Sequence, residues 1–358
     1  MKLKFRIWDA GDPQDRKAWL DFWSLWPGRE IFGHPDYVRL YTSPSVRALC
    51  ASASAGGSYV LYPFMLSALG DEPYCDASLR DCADIATPYG YGGPFRWGAA
   101  WHHDAVRAFW LEFDAWAAKS RVVSEVVRLS LFPETLVEYT GDRHVVSDNV
   151  VRALKSEEEL WRDFEYKVRK NVNKARASGV TVRIDEKGDR LDDFLAIYTG
   201  TMNRRNAREM YYFPRGLFDS IHANLKGQFA YFHALVGGAV VSTELVLVSA
   251  ERIYSFLGGT DAAWFHVRPN DLLKVEIMNW ARSVGKAEFV LGGGYARGDG
   301  IYRYKLSFAP NGSVPFSIGC RVLNADAYEQ MTHARRMFAA MQSALWQPNP
   351  DYFPAYRG

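Results

Sequence analysis

The residues able to do chemistry in this chain are cations and aromatics rather than a nucleophile beside a base. Lys167, Arg169, Lys170, Lys174 and Arg176 place five positive charges within ten residues, with no acid among them. That pattern serves a phosphate-facing patch, and equally a solvated helix whose basic end suits its dipole. A second basic and aromatic cluster, NRRNAREMYYFP over 203–214, carries Arg204, Arg205, Arg208, Tyr211 and Tyr212. The stretch TPYGYGGPF, Thr87 to Phe95, joins three glycines and two prolines to three aromatics. Its Tyr89, Tyr91 and Gly92 belong either to a packed turn or to the wall of a binding cleft. Lys305 stands on a short helix after the glycine-rich run Gly292-Gly293-Gly294…Gly298…Gly300, which is weak as a phosphate loop. No GxSxG elbow, HExxH or GxxxxGK[ST] occurs. His102-His103-Asp104 does not read as a metal cluster, because neighbours on a helix point different ways.

The elements that must position these residues centre on Tyr254 to Phe308. That stretch reads as strand, loop, helix, strand, glycine-rich loop and short helix. Leu273, Ile277, Trp280, Ala281 and Val284 form one stripe at helical period. Asn270 is the expected N-cap, Pro269 the stop before it, Asp271 an acid at the positive end and Gly285 the close. A buried strand feeding a capped helix through a short loop presents backbone N–H groups suited to an anion or a reacting carbonyl. Upstream, strands are expected at 3–8, 47–53, 58–66 and 124–131, with helices at 14–26 and 102–118 and a loop over 67–86. Ser156 to Glu159 is a capping box opening one long helix, with Trp161, Phe164, Val168, Val172 and Ala175 buried. A strand at 180–184, two helices and three strands at 228–236, 239–248 and 252–257 lead into the central stretch. A strand at 314–323 and a helix at 326–345 follow it.

A length of 358 residues implies two domains, and 48% hydrophobic with 23% charged residues is a globular composition. The net charge of +2 names no partner by itself. Cys50, Cys75, Cys82 and Cys320 are scattered and lack zinc-pair spacing, so free thiols of a reducing cytosol explain them. The N-terminus has no apolar signal core and no run approaches a membrane span, which places the expected home in the cytoplasm.

From 156 onward the order of elements resembles the GNAT acyltransferase fold. Five strings resemble its Fem-type (FemABX-like) branch: VRKNVNKARASGV, TMNRRNAREMYYFP, YSFLGGTD, RPNDLLKVEIMNWARSVG and IYRYKLSFAP. The resemblance covers roughly 150–320; over 1–150 it rests on ATPYGYGGP and on that branch's habit of pairing two such units. It implies an α/β (α+β) chain of two tandem GNAT-like units, each a mixed, mostly antiparallel sheet flanked by helices. The first is expected over 1–150, completed by 324–358, and the second over 151–323. Fem-type proteins are aminoacyl-tRNA-dependent ligases that extend peptidoglycan bridges, and relatives make amide bonds in small natural products.

The resemblance therefore implies amide-bond formation, with aminoacyl-tRNA as donor and an amine-bearing small molecule or cell-wall precursor as acceptor. It implies no metal or redox cofactor, a transient association with a membrane surface at most, and no stable protein partner. Lys305 matches the lysine that stabilises the developing charge and holds the donor end. Arg204, Arg205, Arg208, Tyr211 and Tyr212 fall where substrate phosphate is held. Tyr254 either faces the cleft or is a core tyrosine. Tyr89, Tyr91 and Gly92 are expected to face the acceptor, and the basic helix with Lys167, Arg169, Lys170, Lys174 and Arg176 to face the RNA. One departure bears on the donor. Acetyl-CoA-dependent GNAT enzymes cradle pyrophosphate on a (Gln/Arg)-x-x-Gly-x-(Gly/Ala) loop, but here Arg268-Pro269-Asn270-Asp271-Leu272-Leu273 has no glycine, loses one N–H at Pro269 and sets an acid at Asp271. The alternatives are an acyl-CoA-dependent N-acyltransferase acting on an amino sugar or amino acid, and a non-catalytic nucleic-acid-binding protein.

Overall fold

The computed structural model describes residues 3–101, 103–343, 345–350 and 352–358, so His102 of the His102-His103-Asp104 run lies outside the described residues. The chain divides into two compact units. One comprises Met1–Pro27, Phe32–Val146 and Phe316–Gly358, and the other Gly28–Ile31 and Ser147–Pro315.

The first unit begins with β1 (Lys4–Asp9), α1 (Pro13–Ser24), α2 (Pro35–Arg39), β2 (Val46–Ala55), β3 (Ser58–Ala68), β4 (Ala83–Ala86), β5 (Phe95–Gly98), α3 (His103–Lys119) and β6 (Val122–Arg128). Asp12 caps α1, accepting from the Gln14 and Asp15 amides at 2.8 and 2.9 Å, and Pro13 opens the helix with a preset φ. Gly56 and Gly57, at φ 56° and 81°, supply the two left-handed residues of the β2–β3 hairpin. The sheet runs β1-β2-β3-β4-β6, antiparallel except for the parallel β4–β6 pair that α3 bridges, and β5 pairs with β3. Its core is aromatic: Tyr62, Phe64, Phe109, Trp110 and Phe113 pack on one another. β4 falls inside the stretch expected to be loop. Four residues are too few to show periodicity, and its Asp84 is buried because Arg357 binds it at 2.5 Å.

The second unit contains β7 (Asp142–Ala153), α4 (Glu157–Asp163), α5 (Tyr166–Ala177), β8 (Thr181–Asp185), α6 (Leu191–Arg205), α7 (Arg215–Asn224), β9 (Phe229–Val236), β10 (Ala239–Val248), β11 (Arg252–Thr260), α8 (Pro269–Ser283), β12 (Glu288–Gly293) and α9 (Gly300–Leu306). Its sheet runs β7-β12-β11-β10-β9-β8, again antiparallel apart from one parallel pair, β11–β12, bridged by α8. The capping box at Ser156 forms, but the long helix it opens is two helices. Phe164 turns extended (ψ 143°) to bury its ring against Phe308, and the Glu165 amide donates to Ser307 O. α8 begins two residues earlier than expected: Arg268 is its left-handed cap residue (φ 59°) and Pro269, expected to stop the chain before the helix, opens its first turn. Leu273, Ile277 and Ala281 are fully buried as the stripe requires, whereas Val284 is exposed at the frayed end.

β13 (Ser313–Val322) returns to the first unit, pairing antiparallel with β6 from Ile318 to Val322, and α10 (Ala325–Met341) follows. The first unit thus takes up chain from Phe316 onward rather than from 324.

Candidate functional site

The second unit opens where its parallel pair ends. β11 and β12 share register only at Arg252–Tyr254 and Glu288–Val290, although β11 continues to Thr260 and β12 to Gly293. Irregularities flank the divergence on both sides. Opposite β10 the register shifts between Leu245 and Val246, and opposite β7 between Val290 and Gly292. Bulges at a strand end re-aim side chains and release backbone groups, and they gather beside active sites.

Lys305 reaches this end of β12. Its Nζ donates to the Gly293 carbonyl at 2.7 Å, and the side chain is half-buried. Burial first, and then the neighbouring Lys274 ammonium, pull the Lys305 ammonium down to about 7, against the opposing pull of Glu244 and Asp299. Asp299 builds the loop that leads there. Its carboxylate caps α9 at the Tyr302 amide (2.8 Å) and accepts from the Tyr295 and Ala296 amides at 2.7 and 3.1 Å. Those amides are spent on the chain's own carboxylate, which accounts for the glycine-rich run without a phosphate. A Cβ on Gly294 would lie 2.1 Å from Asp299.

The start of α8 is likewise filled from within. Asp271 is buried; its carboxylate accepts from Asn171 Nδ2 on α5 at 3.0 Å and from its own amide. Burial raises the Asp271 carboxyl against the pull of Asn171 and Arg268. Asn270 donates to Tyr304 Oη at 2.9 Å, and Pro269 has no N–H to offer.

The basic clusters divide by use. On α5, Lys167, Lys170 and Lys174 are exposed, whereas Arg169 bonds the last carbonyls of α4: Phe164 O, Arg162 O at 3.1 Å and Trp161 O at 3.4 Å. Arg176 pairs with Glu276 at 3.2 Å and lies over the Trp161 ring. At the end of α6, Arg204 donates to Thr260 O at 3.1 Å and lies over Phe265, Arg208 lies over the exposed Tyr295, and Arg205 is exposed. The Tyr212 hydroxyl donates to Asn203, and the Tyr211 carbonyl accepts from Tyr198. Arg204 and Arg208 thus gather beside loops that leave β11 and β12. Of the two settings open to Tyr254, the structure gives the core. It is 3% exposed and donates to Glu30 Oε2 at 2.7 Å, which corrects its place among substrate-binding residues.

In the first unit TPYGYGGPF is a packed turn. Tyr37 donates to Tyr89 O at 2.6 Å, Arg128 lies over the Tyr89 ring and donates to Gly90 O, and Tyr91 meets Phe32 and Phe316 edge-on. Gly92 is buried and bridges Leu129, its amide donating to Arg128 O at 2.6 Å. Tyr89 and Tyr91 remain half-buried. Among the described residues no group of three metal-ligating side chains occurs, the four cysteines are free, and no helix is long and apolar enough to cross a membrane.

Sequence reading missed Lys274 and Glu244, which form a buried ion pair between α8 and β10. The signal was present: Lys274 shares a helical face with Met278 and Ala281, and Glu244 interrupts the apolar strand VVSTELVLV. Glu30 was missed as well. It sits in a four-residue segment that joins the second unit, 222 positions before its partner Arg252.

The family model for the acetyltransferase (GNAT) domain matches residues 162–306. No curated protein matches the chain. Among solved structures, FemX superposes with a TM-score of 0.66 at 14% identity, over 88% of this chain and 97% of its own. The C-terminal domain of a putative lysylphosphatidylglycerol synthetase from Agrobacterium fabrum gives 0.55 at 14% identity, over 91% and 96%. L-PGS from Bacillus licheniformis gives 0.55 at 12% identity, over 92% and 98%. The divergent strand pair, the helix that bridges it and the matched segment coincide: residues 162–306 match the acetyltransferase (GNAT) domain, in a chain with the fold of FemX, and the match supports an acyltransferase.

Proposed function

We propose that this acyltransferase moves an aminoacyl group from the ester of an aminoacyl-tRNA to an amine, forming an amide bond. The observation that carries the reading is the start of α8. A pyrophosphate needs free amides at a helix N-terminus, and here Pro269 lacks one while the buried Asp271 carboxylate occupies another. A ribose ester at a nucleic-acid 3′ end needs no pyrophosphate cradle there. Exposed Lys167, Lys170 and Lys174, with Arg204, Arg205 and Arg208, suit a phosphate backbone. Lys305 supplies the cation that a tetrahedral oxyanion requires. The acceptor is an amine of a small molecule or cell-wall precursor. The match to an acetyltransferase model favours a second reading, with an acyl-CoA donor.

Calorimetric titration with acetyl-CoA and with free CoA separates the two. No heat of binding is expected, and saturable binding would put the acyl-CoA reading first. With a pool of charged tRNAs and amine acceptors, Lys305→Ala should abolish turnover while leaving the melting temperature unchanged. Turnover retained in that variant would remove Lys305 from the reaction.

A further inference from the structure

Three loops of the second unit meet where β11 and β12 part, and each carries an exposed aromatic or cationic side chain. The first follows α6, which Asn206 ends in the left-handed region (φ 48°), and it brings Arg208. The second is the helical turn Ala262–Val267 after β11, with Phe265 44% exposed. The third lies between β12 and α9, with Tyr295 63% exposed. Arg204, in the last turn of α6, reaches the second loop: its Nη1 donates to Thr260 O at 3.1 Å and its guanidinium lies 5.0 Å from the centre of the Phe265 ring. Arg208 reaches the third, 5.7 Å from the centre of the Tyr295 ring. The Tyr295 amide donates to Asp299 at 2.7 Å, so the backbone under that ring is fixed. Gly293, two residues earlier, accepts from Lys305 Nζ at 2.7 Å.

An exposed ring adds nothing to the core, and a cation over it contributes little at a solvated surface. Stability is therefore a weak reason for this arrangement. The charge is one-sided: residues 203–214 hold Arg204, Arg205 and Arg208 against Glu209 alone. Asp261, at the foot of the second loop, is committed to the Ala263 amide at 3.0 Å. Among the described residues Arg204, Arg205 and Arg208 have no carboxylate partner. Flat faces beside unpaired guanidinium groups suit a ligand that is itself flat and anionic. Single-stranded nucleic acid offers both, because every base has a π-face and every linkage a phosphate. A lipid surface asks instead for a continuous apolar patch with cations at its rim, whereas here the cations lie over the rings themselves.

We propose that Phe265 and Tyr295 are a stacking platform for the unpaired bases at the 3′ end of the donor RNA, with Arg204, Arg205 and Arg208 on its phosphates. The proposal rests on the aminoacyl-tRNA reading and divides the RNA footprint in two. The exposed lysines of α5 face phosphates of the duplex, while the arginines and rings hold the single strand. The last base, stacked on Tyr295, sets its ribose and the ester it carries beside the strand end that Lys305 reaches. Stacking accepts any base, so the platform fixes where the ester sits and leaves the choice of amino acid to other contacts.

The test needs neither an amino acid nor an acceptor. A single-stranded RNA tetranucleotide with 2-aminopurine as its last base is titrated with the intact protein, and stacking is read as quenching of its fluorescence. Saturable quenching is expected. Tyr295→Ser and Phe265→Ser should each weaken binding about fivefold or more, whereas Tyr295→Phe keeps the ring and should bind as wild type does. Arg205→Gln should lower the slope of log affinity against log salt by about 0.7, and the two serine variants should leave that slope in place. If Phe265→Ser does not fold, Tyr295→Ser decides alone, because its side chain is the more exposed. No binding of the tetranucleotide, wild-type affinity in folded Tyr295→Ser, an equal loss in Tyr295→Phe, or an unaltered salt slope in Arg205→Gln overturns the proposal. Ring-dependent binding to phosphatidylglycerol vesicles, without binding to the tetranucleotide, also overturns it and gives the rings to a lipid surface. Failure of the acyl-transfer reading would show separately, as a protein that binds the tetranucleotide yet makes no amide from charged tRNA.

Discussion

Replacing Glu30 with alanine tests whether the segment Gly28–Ile31 is an integral part of the second unit. The Glu30 side chain is 2% exposed and accepts from Arg252 Nη1 at 2.9 Å and Tyr254 Oη at 2.7 Å. Alanine removes both bonds and takes an acceptor from two buried donors. A hydrogen bond to a charged group contributes about 1.5–3 kcal/mol, and breaking one side of a buried ion pair costs about 3–5 kcal/mol. Arg252 keeps Glu288 at 2.7 Å, which holds the loss toward the lower end, at about 3–4 kcal/mol. Burial raises the Glu30 carboxyl against the pull of Arg252, so the lost acceptor sets the cost more than the lost charge does. Glu30→Gln keeps an acceptor and should lose about half as much. Two units need not unfold together, so the assay is native-state hydrogen exchange at the β11 and β12 amides, supported by urea unfolding. A Glu30→Ala protein whose β11 and β12 opening energies stay within about 1 kcal/mol of wild type would refute the assignment of this segment to the second unit.

Two further outcomes follow from groups outside the site. Glu125 is fully buried; burial, opposed by Arg321, raises its carboxyl from 4.5 to about 6, so the folded protein keeps a proton that the unfolded chain gives up. Its contribution to stability should therefore fall by about 2 kcal/mol as pH rises from 4.5 through 6, and Glu125→Gln, followed by urea unfolding at several pH values, should lack that slope. On α5, Arg169→Ala should destabilise the second unit by about 1–3 kcal/mol through the lost carbonyl bonds. Lys170→Glu with Lys174→Glu should instead leave the melting temperature within about 2 °C and weaken salt-dependent RNA binding; unaltered RNA binding would exclude this face as the contact.

Elements long enough to carry a period were legible in the sequence. The capping box at Ser156, the hairpin at Gly56-Gly57 and the buried stripe of α8 each follow from local chemistry, and each forms. The break at Phe164 was hidden because its side chain fits the stripe of one continuous helix; only the packing on Phe308 shows that the backbone must turn. β4 was hidden by brevity, and its Asp84 is tolerable inside only because Arg357 arrives from the far end of the chain. Lys305 was singled out by resemblance, while the tie from Asp299 to the glycine-rich run depends on a backbone path that spacing does not specify. Lys274 and Glu244 were visible as charges out of place. That they answer each other requires two elements 30 residues apart to be laid together.

The interleaved order of the segments has a consequence for how the protein is made. The last strand of the first sheet, β13, lies beyond the whole of Ser147–Pro315, so those 169 residues must leave the ribosome before the first sheet can close. At about 5–20 residues per second that is a wait of about 8–34 s. Throughout it β6 lacks its antiparallel neighbour, and an unpaired edge rich in valine invites pairing with another nascent chain. The second unit meets no such delay, because Gly28–Ile31 is already outside when β11 emerges. A nascent chain whose residues up to 315 have left the ribosome therefore carries a second unit with all its strands and a first unit still missing one, and the synthesis of this protein is most exposed to aggregation and most open to chaperone capture at that stage.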